Sequence, residues 1–144
     1  MGAPAKKFRN KYDGFKMRVM VWVCESCDLW HYRKRPTECN LCGKKGFYYF
    51  ASTAEAKRYA ELLIQLRAKL IRNLQVQVNF PLQVNGVLIY TYRADFVYYK
   101  NDVMVVEDVK ADIKSDKALT DIFKAKKKHM GAQYGIDVQI VKRS

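Results

Sequence analysis

The chain has 144 residues, enough for one ordinary domain or for a small metal-stabilised module followed by a domain of about 90 residues. Its 27 Lys and Arg residues outnumber its 14 Asp and Glu residues and give a formal net charge of +13, which favours a polyanionic partner. No run of 18 apolar residues is present, and the first twenty residues lack the apolar centre of a signal peptide. We therefore expect no membrane segment and a soluble, intracellular (cytoplasmic) protein.

The first 18 residues form a strongly basic segment. They contain six Lys and Arg side chains together with Pro4 and two glycines, which predicts a flexible arm over residues 1–18. Such an arm can follow the phosphates of a nucleic acid, and it can equally be a solubilising tail.

Two C-x-x-C pairs separated by eleven residues follow the arm. Four thiolates at this spacing predict a tetrahedral, structural Zn²⁺ site. Strand-like runs on either side, at residues 22–23 and 47–50, indicate a zinc ribbon over residues 19–50. His31 is an alternative ligand, although we expect it to be a surface histidine. The predicted zinc ligands are Cys24, Cys27, Cys39 and Cys42.

The loop between the two C-x-x-C pairs is basic and aromatic. Arg33, Lys34 and Arg35 follow directly on three aromatic side chains at positions 30–32. Cations can hold phosphates while aromatic rings stack on unpaired bases, so this loop is a candidate DNA contact. The alternative is that the ribbon only packs against its neighbour or mediates dimerisation.

The clearest helical pattern covers residues 52–73, with apolar residues at helical spacing. Ser52 and Glu55 form an S-x-x-E start signal, so Glu55 can be explained as a capping acid alone. However, Glu55 also begins an i, i+4, i+7, i+11 series with Tyr59, Leu62 and Leu66, which directs it along the face that meets the sheet. Its role is therefore open between a cap and a site residue.

Three strands are predicted next. Residues 74–84 alternate between apolar and polar side chains, and Pro81 assigns this strand to a sheet edge or a bulge. Asn85-Gly86 predicts a hairpin turn into a strand that starts at Val87 and continues through residues 92–99. A second turn at Asn101-Asp102 leads into the third strand, over residues 103–110.

The second turn sets a register that brings two acids together. With Asn101 and Asp102 at its centre, counting back in twos places Asp95 opposite Asp108. Lys110 lies on the same face as Asp108, and a one-residue slip would replace Asp108 by Glu107. Two adjacent carboxylates repel unless a cation neutralises them, which points to Mg²⁺ or Mn²⁺. The alternative is that both aspartates are ordinary solvated residues.

A helix over residues 117–134 and a strand over residues 136–141 complete the pattern. The element order after the ribbon is αβββαβ, with the last strand expected to be parallel to the third. Four lysines of this helix are candidate contacts for the DNA backbone: Lys124, Lys126, Lys127 and Lys128. Either Lys126 or Lys127 lies on or beside the apolar stripe, where a lysine can reach a phosphate or extend past the stripe to solvent.

Together, Glu55 on the first helix, Asp95 in RADF and the D-x-K motif at residues 108–110 resemble the PD-(D/E)xK nuclease superfamily over about residues 50–141. More narrowly, the runs STAEAKRYAEL, YRADFVYY, VVEDVK and FKAKKKHM resemble a family of small phage- and prophage-encoded proteins assigned to that superfamily. The chain departs from the superfamily name in having Ala94 before Asp95 and an aspartate as its middle acid.

This resemblance implies a fold and a chemistry. The fold is a mixed α/β, restriction-endonuclease-like core over residues 51–144. The implied ligands of Mg²⁺ are Asp95, Asp108 and the backbone carbonyl of Val109, with Glu55 bound directly or through water. Lys110 would stand beside the attacking water.

We therefore expect a Mg²⁺-dependent DNA endonuclease. We further expect it to select branched DNA, like Holliday-junction-resolving enzymes, and to act as a homodimer, because two symmetric nicks need two active sites. One alternative is a monomeric nicking or single-strand nuclease of the same superfamily. Another is a non-catalytic nucleic-acid-binding adaptor built on a nuclease-like scaffold, which explains the charge and the ribbon equally well.

Overall fold

A computed structural model describes residues 19–111, 113 and 115–143. The predicted basic arm, residues 1–18, lies outside the described residues. The described residues form seven strands, two α-helices and one short 3₁₀ helix at Asp116–Ala118. None of the helices in this part of the chain is long and apolar enough to cross a bilayer. The protein is a mixed α+β structure with two sheets.

The first sheet is the ribbon around the cysteines. Its central strand β1 (Val21–Cys24) pairs antiparallel with β2 (Trp30–Tyr32) and with β3 (Phe47–Phe50). The strand β2 was not predicted, and it changes the environment of His31. That side chain is buried and meets the ring of Phe47 edge-on at 5.4 Å, so the expectation of a surface histidine is wrong.

Helix α1 (Thr53–Arg67) starts where the sequence predicts and ends earlier than predicted. Ser52 caps it by accepting a hydrogen bond from the amide of Glu55. At the other end Lys69 adopts a left-handed conformation (φ 59°), and the amide of Leu70 donates to the carbonyl of Gln65. This closes the last turn, so Leu70 leaves the apolar stripe and is exposed.

The second sheet has the strand order β4-β5-β6-β7. The strands β4 (Arg72–Val84), β5 (Val87–Lys100) and β6 (Val103–Ala111) form an antiparallel meander, and β7 (Gln139–Arg143) adds parallel to β6. The predictions of an αβββαβ order and of a parallel last strand are confirmed. Pro81 lies in β4, an edge strand, as its missing amide hydrogen requires.

Helix α2 (Asp121–Tyr134) connects β6 to β7. It begins three residues after the 3₁₀ helix, where Thr120 accepts a hydrogen bond from the amide of Phe123, and it ends at Gly135 in a left-handed conformation (φ 66°). The sequence predicted an earlier start, at residue 117. The difference arises because the 3₁₀ helix and the Thr120 cap interrupt the helical run.

The two helices cover opposite faces of the second sheet. The first core cluster joins α1 to the sheet through Tyr59, Leu62 and Phe96, and the ribbon contributes Val21 and Phe50 to it. The second cluster joins α2 to the sheet and is built around Phe123 and Met130. The ribbon and the second sheet therefore share one hydrophobic core.

The even-numbered side chains of β5 do not all pack on one helix. Phe96 belongs to the α1 cluster, whereas Tyr92 and Ala94 belong to the α2 cluster. The change occurs at Asp95, level with Gln77 of β4, which has a positive φ of 56°. Asp95 therefore lies at the point along β5 where the even-numbered side chains stop packing against α2 and begin to pack against α1.

Candidate metal and active site

The β5–β6 hairpin has the predicted register. Asn101 and Asp102 both have positive φ, and the ladder runs from Lys100 opposite Val103 to Phe96 opposite Glu107. One step further along this register are Asp95 and Asp108. The turn sequence therefore fixes which acid of β6 meets Asp95.

Asp108 is buried and has two partners. One carboxylate oxygen accepts a hydrogen bond from the hydroxyl of Tyr92 at 2.9 Å, and the other lies 2.8 Å from the Nζ of Lys110. Burial and the neighbouring Asp108 charge raise the pKa of Tyr92 well above its usual range, so its hydroxyl stays protonated and keeps donating. These contacts hold the Asp108 carboxylate in one orientation.

Asp95 carries a strongly perturbed carboxyl. Its Oδ2 accepts a hydrogen bond from the backbone amide of Val109 at 2.7 Å. Burial raises its pKa to about 7, and the charges of Asp108 and Glu55 act in the same direction. A nearby cation would replace the proton of this carboxyl and stabilise its ionised form.

Glu55 combines the two roles that the sequence left open. Its carboxylate accepts hydrogen bonds from the amide of Ala51 and the hydroxyl of Ser52, both at 3.3 Å, while its own amide donates to Ser52. It is therefore a capping-box residue. It also lines the cavity that contains the two aspartates.

A single cavity of about 690 Å³ collects the four predicted site residues of the second sheet and α1: Glu55, Asp95, Asp108 and Lys110. Its walls also include the first residues of α1 and the residues around the start of α2. Because free amides and the positive ends of both helix dipoles lie at such starts, these walls favour an anion such as a phosphate.

Lys110 lies between the acids and α2. Besides its contact with Asp108, its Nζ lies 4.1 Å from the centre of the Phe123 ring. The ring and the carboxylate together hold the ammonium group at the cavity wall. The sequence predicted that Lys110 and Asp108 lie on the same face of β6, and the contact between them agrees with that prediction.

Glu107, the neighbour of Asp108, belongs to a different environment. It points to the α1 side, where Arg58 donates to both of its carboxylate oxygens at 2.9 and 2.6 Å and Tyr98 donates at 2.5 Å. Arg58 also pairs with Glu61, which in turn contacts Arg143. The sequence predicted only that Glu107 faces away from Asp108.

Two supporting residues were missed by the sequence reasoning. Tyr92 is two strand positions from Ala94 and three from Asp95, so its contact with Asp108 depends on the face change at Gln77. Arg58 lies three residues before Glu61 and one helical turn after Glu55. A buried acid at Glu107 signals the need for such a cation, but only the packing of α1 on β6 identifies Arg58.

Arg93 is a further cation at the cavity that sequence reasoning did not select. It is exposed, lines the same cavity as Asp95 and donates to the side chain of Gln77 at 2.6 Å. Its place next to Ala94 in the RADF run puts a positive charge at the cavity wall.

The four cysteines form a compact cluster. Their sulfur atoms all lie within 4.8 Å of one another, and none of the four is in a disulfide. A backbone hydrogen bond from Cys42 lowers the pKa of Cys39 to about 5, which favours a thiolate there. The cluster can bind a metal such as zinc.

Among the described residues, this cluster is the one group of three or more His, Cys, Asp or Glu ligands close enough to share an ion. Glu55, Asp95 and Asp108 line one cavity without converging on one point to that degree. A cation there would therefore need main-chain or water ligands besides the carboxylates.

The predicted nucleic-acid-binding side chains lie on two separate surfaces. In the ribbon, Arg33 and Lys34 are exposed, while the guanidinium of Arg35 lies over the rings of Trp22 and Phe47 at 5.8 and 5.6 Å. The ribbon thus presents two unrestrained cations and one that is held against its own aromatic residues.

The α2 lysines point in different directions. Lys126 lies over the Tyr90 ring at 5.6 Å, and Lys127 pairs with Asp137 at 2.7 Å. Lys124 and Lys128 are exposed and border, with Lys127, a second groove of about 540 Å³ next to β7. Lysines on the buried stripe therefore extend to its edges, as expected.

Comparison with known proteins identifies one family. Its profile matches residues 44–143, more than two thirds of the chain, and so covers both helices and the whole second sheet but not the four cysteines. No curated protein and no solved structure matches the chain. The chain therefore belongs to the family described as "Protein of unknown function (DUF1064)".

Proposed function

We propose that this protein is a metal-dependent DNA endonuclease with a PD-(D/E)xK-type core. The observation that carries the proposal is that Glu55, Asp95, Asp108 and Lys110 line one cavity although they come from three different elements. An adaptor that only binds phosphates gains nothing from burying acids in a basic protein. In metal-dependent phosphodiester hydrolysis, carboxylates hold the cation that activates water, and a lysine can stabilise the charge that develops on the phosphate.

The donor set of the cavity fits a hard divalent cation. Asp95 and Asp108 would hold Mg²⁺ or Mn²⁺ with the backbone carbonyl of Val109, and Glu55 would act directly or through water. Such a cation lowers the pKa of a bound water and stabilises charge on the phosphate. The raised pKa of Asp95 supports the fit, because burial and the neighbouring Asp108 charge both disfavour its ionised form, which a cation would stabilise.

The protein's own groups have separate tasks. Lys110 orients the attacking water or offsets charge on the pentacovalent phosphorus, while Asp108 and the Phe123 ring keep its ammonium group at the cavity wall. Tyr92 fixes the Asp108 carboxylate through its hydroxyl. The starts of α1 and α2 and the side chain of Arg93 face the same cavity and would attract the scissile phosphate.

Branched DNA is the substrate class that the surface favours. The turns that join β4 to β5 and β5 to β6 have two residues each, so they offer no base-reading loop that would fill a major groove. The exposed cations of the ribbon and of α2 suit contacts with the DNA backbone, which report shape and charge. Selection by shape is what a junction-cutting enzyme requires.

The four cysteines have a structural role in this proposal. Zn²⁺ bound by Cys24, Cys27, Cys39 and Cys42 would hold the ribbon against α1 and keep its basic loop in place. The exposed Arg33 and Lys34 would then extend the DNA-binding surface beyond the cavity.

Titration with Mg²⁺ and Mn²⁺ by calorimetry tests the proposal. We expect at least one cation site in the wild-type protein that is lost in Asp95→Ala and kept in the matched variant Asp137→Ala, since Asp137 is exposed and does not line this cavity. A non-catalytic adaptor or scaffold would show no site that depends on Asp95.

A further inference from the structure

The hairpin that joins β4 to β5 carries an apolar surface that the rest of the described chain leaves largely exposed. Its outer part, residues 84–90, forms a hairpin arm (the arm), which is separate from the basic segment at residues 1–18. The arm exposes five large apolar side chains to solvent by between 43 and 61%. These are Val84, Val87, Leu88, Ile89 and Tyr90. A two-stranded hairpin with no cover is only marginally stable in water, so such a surface indicates a partner.

The arm is held in position at its base. Side chains near the C-terminal end of α2 bind the backbone of β4 at Pro81 and Gln83: Gln133 and Tyr134 donate to the carbonyl of Pro81 at 3.1 and 2.6 Å, and Gln133 accepts from the amide of Gln83 at 2.8 Å. On β4 these contacts stop at Gln83, one residue before the arm begins, and on β5 Lys126 of α2 lies over the Tyr90 ring at the base of the arm. The arm therefore projects from a fixed root, and little further ordering is needed when it binds.

The tip of the arm is also ordered. Asn85 and Gly86 both have positive φ and form the tight turn, so that Val84 pairs with Val87 and Gln83 with Leu88. The next pair is Leu82 with Tyr90, which leaves Ile89 as an extra residue in β5. This bulge adds a fifth exposed apolar side chain to the arm.

Charge decides which kind of partner fits the arm. Residues 73–92 contain no Lys, Arg, His, Asp or Glu, although 28% of the chain is charged. DNA is attracted by Lys and Arg, and the arm has none. Two copies of a chain with a net charge of +13 repel each other, and they approach most easily where neither carries charge.

We propose that the arm pairs with the arm of a second copy of this chain and forms a twofold dimer. Each arm would cover the apolar side chains of the other, in a contact that is the same on both copies. The arm alone is smaller than the roughly 800 Å² per partner of a standard interface, so we expect association in the micromolar range. This inference goes beyond the proposed nuclease activity and does not depend on it.

Sedimentation of the 144-residue, zinc-loaded protein tests the proposal across roughly 1–100 μM, the range in which a micromolar dimer dissociates. The wild type should approach twice the chain mass of 16.9 kDa as its concentration rises. Val87→Glu and Leu88→Glu should remain at the mass of one chain. Ile64→Glu and Ile122→Glu are matched controls, since both isoleucines are 65% exposed and lie on the helices, and both variants should still dimerise.

A charge-reversal pair separates arm pairing from damage to the fold. Val87→Glu and Val87→Lys should each be monomeric alone and should associate when mixed, because opposite charges then meet between arms. A monomeric wild type, arm variants that still dimerise, or a mixed pair that stays monomeric would each overturn the proposal. It would also be overturned if the arm variants kept the wild-type mass and lost DNA binding instead, which would assign the arm to DNA.

Discussion

Glu107 and Asp108 are consecutive residues of β6, both buried, and they point to opposite faces of the same strand. Glu107 has a complete set of partners, since Arg58 binds both of its oxygens and Tyr98 donates a third hydrogen bond. Asp108 shares its cavity with Asp95 and Glu55, and Lys110 is the cation that contacts it directly. The protein thus neutralises the charge of Glu107 fully and that of Asp108 only in part.

The difference shows how a structural acid and a candidate catalytic acid can be separated. Burying a charge is costly unless it is paired and hydrogen-bonded, and the Arg58–Glu107 pair meets that condition. The Asp95–Asp108 pair does not, and burial together with the charge of Asp108 raises the pKa of Asp95 to about 7. An arrangement that stays unfavourable without a further cation is characteristic of a functional site.

The largest effect is expected on the cavity face. Asp95→Ala, Asp108→Ala and Lys110→Ala should each reduce DNA cleavage by about a thousandfold or more, because the charge stabilisation lost is worth several kcal/mol. DNA binding, measured in parallel by fluorescence anisotropy, should change little. Full cleavage by Asp108→Ala, with Glu107 intact, would show that the wrong acid of β6 has been assigned to the site.

The next effect concerns the ribbon. Cys39→Ser should release zinc and unfold the ribbon, as read by metal analysis and thiol reactivity. Because Val21 and Phe50 share a core with Tyr59, we expect the rest of the chain to lose roughly 1.5–3 kcal/mol for each of these two side chains. An unchanged melting temperature of the second sheet would show that the sheet does not depend on the ribbon for stability.

On the other face of β6, Arg58→Ala should act on stability and leave the chemistry of the folded protein intact. Removing this partner leaves Glu107 buried and unpaired, with an expected loss of about 3–5 kcal/mol in urea unfolding. Lys57→Ala, at an exposed neighbouring position, is the control and should change stability by less than about 0.5 kcal/mol. A loss of cleavage without a loss of stability in Arg58→Ala would contradict the division between the two faces.

A smaller effect is expected in the pH dependence of the free energy of unfolding. Since the pKa of Asp95 is about 7 in the folded protein against an ordinary value of 3.8, the folded state binds the proton more tightly than the unfolded state. The stability of the magnesium-free protein should therefore fall as the pH rises from about 4 to about 7 and level off above that. Asp95→Asn should remove this dependence. Urea midpoints of both proteins at pH 5.5, 6.5 and 7.5 measure the difference, and parallel curves would refute it.

The order and type of the elements of the second sheet could be predicted because local chemistry specifies them. The residues of the Asn85-Gly86 and Asn101-Asp102 turns have positive φ, and the second turn sets the register that places Asp108 opposite Asp95. The start of α1 was predictable from Ser52 and Glu55, which form the expected capping box.

The parts that were missed depend on tertiary packing. The alternation of β4 is unbroken in sequence, so nothing signals that Gln77 takes a left-handed conformation and that the sheet changes partner there. The continuous apolar run at the start of β6 is typical of a strand covered on both faces, yet Val103 and Met104 are exposed and burial begins later. Arg58 becomes identifiable only once α1 lies against β6.

Cleavage of matched DNA substrates in Mg²⁺ tests the central claim most directly. A four-way junction, a flap, a single strand and a linear duplex of the same sequence would be incubated with the wild type and with Asp108→Ala at physiological salt. We expect Mg²⁺-dependent cutting of the branched substrates by the wild type, little cutting of linear duplex, and none by Asp108→Ala. No cutting of any substrate by metal-loaded wild type, or cutting that Asp108→Ala retains, would contradict the assignment of this cavity as a nuclease site.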